Sequence, residues 1–154
     1  MHYYGKERRE RAAMIDLGTS ESVRRVLLRL PAELRPLSEA LEGWMRVLGY
    51  TGKDIFAVRL ALCEAVINAF RHGNQGDPNK VVRVSYVVTP TEVGLEVEDE
   101  GAGFDPDQVP DPLAGENCER ISGRGLFLMR VYMSGVCFNR QGNRVTLCRR
   151  RSHS

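Results

Sequence analysis

At 154 residues, 42% hydrophobic and 27% charged, the chain has the size and balance of one globular domain. A formal net charge of +2 asks for no nucleic-acid partner, and no apolar run is long enough to span a membrane. Cys63, Cys118, Cys137 and Cys148 are scattered without a Cys-x-x-Cys pair and the N-terminus has no apolar signal core, so reduced thiols in a cytoplasmic protein are expected rather than a zinc site or a disulfide framework.

Residues 1–22 are polar and unpatterned and read as a flexible tail, with the folded domain over 23–149 and a short tail over 150–154. The basic runs Lys6–Arg11 and Arg149–Arg151 read as solvated ends. Val23–Leu30 suggests a strand. A helix is expected after Pro36, with Leu37, Ala40, Leu41, Trp44, Met45 and Leu48 at spacings of three and four, Trp44 packed in the core and Gly49 at the stop. Thr51 opens a second helix that reaches about His72, followed by Gly73. Val81–Val88 and Val93–Asp99 read as a hairpin around Pro90 and Thr91. The stretch from Gly101 to Gly123 is rich in proline and glycine, and so long a loop in a compact domain usually has a function. A third helix over Leu126–Met133 and two strands, Val136–Arg140 and Arg144–Arg149 around Gln141-Gly142-Asn143, complete the pattern. The fold class implied is an α/β two-layer sandwich, a mostly antiparallel sheet with helices on one face.

Three segments carry chemistry. Glu64 and Asn68 stand four residues apart on one helical face, away from the Val58, Leu62, Ala65 and Ala69 stripe. Taken alone such a pair is more often an exposed polar stripe, but it can also share an oxygen-coordinated Mg²⁺ site or divide base and metal-ligand roles. Val93, Leu95, Val97 and Asp99 share a strand face, so the apolar alternation ends by turning a carboxylate inward. That carboxylate needs a donor, either a backbone amide in a capped turn or a ligand amino group such as that of adenine. Gly101 and Gly103 leave room beside it for a flat base. Finally, Gly123-Arg124-Gly125 opens a helix and can present amides to phosphate, though it fits neither a Walker loop nor a Rossmann turn.

In this order the three segments resemble the N, G1 and G2 boxes of the GHKL, or Bergerat-fold, ATPases. Leu-Cys-Glu-Ala-Val-Ile-Asn-Ala-Phe-Arg-His-Gly-Asn and Gly-Ala-Gly-Phe-Asp-Pro are especially similar to anti-sigma-factor serine/threonine kinases of the RsbW and SpoIIAB type. The resemblance runs from about Val23 to Leu147. It implies ATP and Mg²⁺ as cofactors, with Glu64 as general base, Asn68 on the metal, and Asp99 on the adenine amino group. Gly101 and Gly103 would line the base, Asp107–Ser122 would form a lid, and Gly123, Arg124 and Gly125 would hold phosphate oxygens. It further implies a homodimer that binds a sigma factor and phosphorylates an anti-anti-sigma STAS-domain antagonist. The sequence departs from the pattern at Gly142-Asn143, where relatives often carry Gly-Thr, and the phosphate-side arginine is either Arg120 or Arg124. His72 reads as a helix-terminal residue rather than a phosphoacceptor. The alternative is a nucleotide-binding or partner-switching module of the same fold without kinase activity.

Overall fold

The computed structural model describes Leu17, residues 22–102 and residues 123–153. Gly103, Cys118, Arg120, the whole of the expected lid and nearly all of the expected N-terminal tail lie outside the described residues.

In chain order the elements are β1 (Arg24–Leu28), a 3-10 turn (Pro31–Glu33), α1 (Leu34–Val47), α2 (Gly52–Asn68), a π-helical turn (Ala69–Gly73), β2 (Val82–Val88), β3 (Glu92–Glu98), α3 (Gly123–Tyr132), β4 (Gly135–Phe138) and β5 (Arg144–Arg150). The strands form one five-stranded sheet in the order β1-β2-β3-β5-β4, and every neighbouring pair is antiparallel. The register stacks Val84, Val97 and Val145 in one row and Tyr86, Leu95 and Leu147 in the next. These rows pack in a single apolar core against Leu41 and Met45 of α1, Val58, Leu62 and Val66 of α2, and Leu126 and Met129 of α3. On the opposite sheet face, Arg83, Glu98 and Arg144 are directly paired across three strands. These charges are open to water, and such pairs contribute little to stability.

Local chemistry sets the element ends. α1 begins earlier than expected, because Pro36 stands in its first turn, where amides have no helical acceptor to lose. The Glu33 carboxylate accepts from the amides of Arg29 and Leu30 and fixes the entry. Thr51 caps α2 as its position predicts, its hydroxyl accepting from the Asp54 amide at 3.2 Å. Gly142 carries the β4–β5 turn with φ of 81°, a conformation that glycine adopts without a Cβ penalty.

Two expectations are corrected. Trp44 is 45% exposed rather than a core residue, and the Arg24 guanidinium lies 5.1 Å from its ring centroid. The helical spacing that suggested burial places Trp44 beside Leu41 and Met45, at the edge of the stripe that they fill. The Arg149–Arg151 run is not a solvated end. Arg149 forms an ion pair with the fully buried Asp54 at 2.8 Å, and Arg151 donates to the carbonyls of Leu48 and Gly49 while lying over the Tyr50 ring. The Tyr50 hydroxyl, which donates to the Thr89 carbonyl, is pushed up to about 12 by burial, against the pull of Arg151. No disulfide links the described cysteines, and no helix among the described residues is long and apolar enough to cross a membrane.

Candidate functional site

The last two turns of α2 carry Glu64 and Asn68, both half-buried. They face the start of α3 rather than water. A Cβ built on Gly125 would stand 2.9 Å from Glu64 Oε2, 3.0 Å from Asn68 Nδ2 and 3.3 Å from Asn68 Oδ1. The absence of a side chain at Gly125 therefore lets the entrance of α3 approach the carboxylate and the carboxamide at backbone distance. Gly123 and Arg124 precede it in the same first turn, and the Arg124 side chain lies outside the described residues. The sequence-predicted first and third segments thus meet, at a helix N-terminus whose orphan amides suit an anion.

Below Asn68 the helix widens. The Asn74 amide reaches back to the Ala69 carbonyl at 2.8 Å, a five-residue step that swings Gly73 toward the end of β3. Single wide turns of this kind concentrate at functional sites. Here the turn brings Gly73 against Asp99: a Cβ on Gly73 would overlap the Asp99 carboxylate, and one on Gly101 would overlap the Gly73 carbonyl oxygen. Asn74, 1% exposed, locks the arrangement by donating to the Val81 carbonyl at 3.0 Å and accepting from the Glu100 amide at 2.8 Å. In the sequence Gly73 reads as a helix stop, and Asn74 enters only as the last residue of the quoted motif, without a role of its own. A polar residue directly after a helix-ending glycine was the available signal.

Asp99 follows β3 and is half-buried, as the strand parity predicts. Its Oδ1 accepts from the Gly101 amide at 2.8 Å, the capped-turn alternative. Among the described residues Oδ2 accepts no hydrogen bond, so the turn uses only half of the carboxylate. Burial raises its pKa above the ordinary carboxylate value, the Gly101 amide opposes that rise, and Glu98 adds to it more than Lys80 subtracts.

Asp99 and Asn68 open onto one cavity of about 290 Å³. Its walls are apolar, from Ala65, Val97, Leu126, Met129, Phe138 and Val145, with a few polar groups, Asn68, His72, Asp99 and Asn143 among them. This is the usual make-up of a small-molecule site. Asn143 keeps the end of the sheet closed: its carbonyl accepts from the Asp99 amide at 2.9 Å and its side-chain amide donates to the Asp99 carbonyl at 3.2 Å. Its side-chain oxygen accepts from Asn139 at 2.7 Å. The His72 pKa is held below its usual value by burial and by Arg71, which favours the neutral ring.

Among the described residues Oδ2 of Asp99 is left to receive a donor from a ligand in this cavity. Glu64 and Gly125 stand beside Asn68 but are not among the residues that line it. No cluster of three or more His, Cys, Asp or Glu side chains exists among the described residues to hold a metal unaided. The Asn68 amide oxygen suits Mg²⁺, which commonly takes one or two protein ligands together with phosphates.

The histidine kinase-like ATPase domain matches residues 27–149. The chain belongs to the histidine kinase-like ATPase family. Within that family it is similar to anti-sigma kinases. It is 28% identical over 121 residues to a serine-protein kinase RsbW of Listeria monocytogenes, covering 73% of this chain and 77% of the relative. An anti-sigma F factor of Geobacillus kaustophilus is 31% identical over 105 residues, covering 67% and 72% respectively. One from Geobacillus stearothermophilus is 33% identical over 98 residues, covering 62% and 67%. The five-stranded antiparallel sheet with three helices among the described residues is consistent with that family's fold.

Proposed function

We propose that this ATPase-family chain is an ATP- and Mg²⁺-dependent serine/threonine protein kinase that acts as an anti-sigma factor in the cytoplasm. It binds a sigma factor as a homodimer and phosphorylates a serine or threonine of an anti-anti-sigma STAS-domain antagonist. The observation that carries the reading is the convergence of Gly125 on Glu64 and Asn68 beside a cavity that contains a half-satisfied carboxylate.

Each residue has a role that its surroundings permit. Asp99 accepts from the exocyclic amine of the base, while Gly73 and Gly101 hold the carboxylate edge open. The first-turn amides of α3, Gly125 among them, orient phosphate oxygens at the positive end of the helix. Asn68 would hold Mg²⁺, which when bound supplies charge neutralisation on the phosphate chain. Glu64, one turn earlier on α2, takes the proton from the attacking hydroxyl. Gly103 and Arg124 are proposed on the base and phosphate sides by their place in the sequence.

The test is a titration of Mg·ATP followed by transfer of labelled phosphate to a purified STAS-domain antagonist. Micromolar to millimolar binding with labelled serine or threonine supports the reading. Binding without transfer would leave the non-catalytic nucleotide module, and a folded chain that binds no ATP at millimolar concentration sinks both.

Asp99→Asn is expected to weaken ATP binding by about 10- to 150-fold, the loss of a hydrogen bond to a charged acceptor worth about 1.5–3 kcal/mol, while circular dichroism stays unchanged. A pH series adds a sign. Because the folded pKa of Asp99 is raised, acidification protonates it at higher pH than an ordinary carboxylate, and ATP affinity falls there. Asp99→Asn should lose that dependence, which calorimetry at several pH values checks.

Gly125→Ala separates the site from stability. Gly125 is buried in the first turn of α3, where the atoms an added methyl group would meet are the side-chain ends of Glu64 and Asn68 rather than backbone, so the melting temperature should change little. The new methyl group meets Glu64 and Asn68, and phosphotransfer is expected to drop by roughly tenfold or more through displacement of positioned groups. Steady-state kinetics alongside a melting curve reads both effects.

A further inference from the structure

Arg149 ends its run along β5 between two helices. Its Nε and Nη2 meet Asp54 Oδ1 at 2.9 and 2.8 Å, and Nη1 donates to the Tyr132 carbonyl at 2.5 Å. Asp54 lies in the first turn of α2, and Tyr132 is the last residue of α3. One guanidinium therefore bridges the N-terminus of α2 to the C-terminus of α3. The Asp54 carboxylate is in turn held by the Ser152 amide at 2.9 Å and the Ser152 hydroxyl at 2.6 Å.

This clamp stands at the far end from the candidate site. Glu64 is nearly three turns further along α2, roughly 15 Å away, and Gly125 is two turns back along α3, roughly 10 Å. Between clamp and site, α3 contributes Leu126 and Met129 to the core, and apolar burial is non-directional. Beside the clamp the Phe56 ring of α2 also meets the Tyr132 ring edge-on at 5.8 Å, so the helices are already packed together there. The rigid fork of an arginine has the directionality that those contacts lack.

We infer that Arg149 is a positioning residue, whose fork sets the register of α3 on α2 and so the distance of the Gly123–Gly125 backbone from Glu64 and Asn68. This rests on the nucleotide-site reading above. It acts mainly on the phosphate side, since the guanidinium touches neither Asp99 nor Gly73 nor Gly101, although Leu126 and Met129 of α3 are also walls of the cavity.

The experiment compares two ligands, adenosine and Mg·ATP, on wild type and on Arg149→Lys, at a temperature where both are fully folded by circular dichroism. Lysine keeps the charge on Asp54 but loses the fork. The expected result is roughly tenfold weaker binding of Mg·ATP, with a matching rise in KM, and a clearly smaller loss for adenosine. Unchanged affinity for both ligands, or an equal loss for both, overturns the inference. Wild type that binds neither ligand overturns the nucleotide reading instead. If Arg149→Lys does not fold, Ser152→Ala loosens the same carboxylate more mildly. It must shift the two ligands in the same unequal sense, and an unaltered ratio of affinities overturns the inference.

Discussion

Glu64→Gln is expected to lower phosphotransfer to a STAS-domain antagonist by about 10²–10⁴-fold, the usual contribution of a general base. Glutamine keeps the size of the side chain and one carbonyl oxygen, so packing against Gly125 is preserved. The substitution removes the one property a base needs, affinity for a proton. Asp99 and the apolar walls of the cavity are untouched, so Mg·ATP should bind with nearly wild-type affinity. Single-turnover transfer with labelled ATP, paired with calorimetric titration, measures both quantities. Wild-type transfer by Glu64→Gln would remove Glu64 from the chemistry. A parallel collapse of ATP binding would instead make Glu64 part of the binding site.

The second large effect concerns stability. Asp54→Ala should destabilise the fold by about 3–5 kcal/mol, the cost of leaving one member of a buried ion pair without its partner. Asp54 is fully buried and the Arg149 side chain only 12% exposed, so the orphaned guanidinium has little water to turn to. The loss also has a pH signature. Burial alone would raise the Asp54 pKa, but the Ser152 hydroxyl and amide and the Arg149 guanidinium overcome that effect and lower it. A carboxylate with a lowered folded pKa stabilises fully above its unfolded value near 3.8 and loses that contribution as pH falls toward the folded value. Urea denaturation should therefore show the difference between wild type and Asp54→Ala shrinking below about pH 4. A constant difference across that range would mean that packing, not charge, is what the substitution removes.

These two residues differ in how far the sequence announces them. Glu64 could be found because its partner Asn68 is one helical turn away and the spacing itself places both on one face. Asp99 was legible for a similar reason, since alternation along β3 turns it inward. All five strands and three helices were visible as local periodicity, with their ends shifted by a few residues. The sheet order was not legible, because strand pairing depends on which apolar faces meet. The Asp54–Arg149 pair was invisible for the same reason. Its members are 95 residues apart, and a run of arginines at a chain end looks like a solvated tail until a buried carboxylate is found beneath it. Gly73 does end the helical segment, as its place after His72 suggests, but its second role was not legible because a glycine after a helix has a sufficient local explanation. Its contact with Asp99 exists only once β3 is laid beside α2.

The wide turn at Ala69–Gly73 also bears on how this chain tolerates insertion and deletion. A π-helical turn takes one residue more than an α-helical turn of the same length. Losing any one residue there would let α2 continue as ordinary helix, with better-formed local hydrogen bonds. Because the extra residue is absorbed within one turn, the chain beyond such a deletion would keep its phase about the helix axis. A deletion that spared Gly73 would leave it against the Asp99 carboxylate, and one that removed Gly73 would set a side chain there instead. The place of Gly73 is therefore set by the sheet across from it, not by the helix in which it lies.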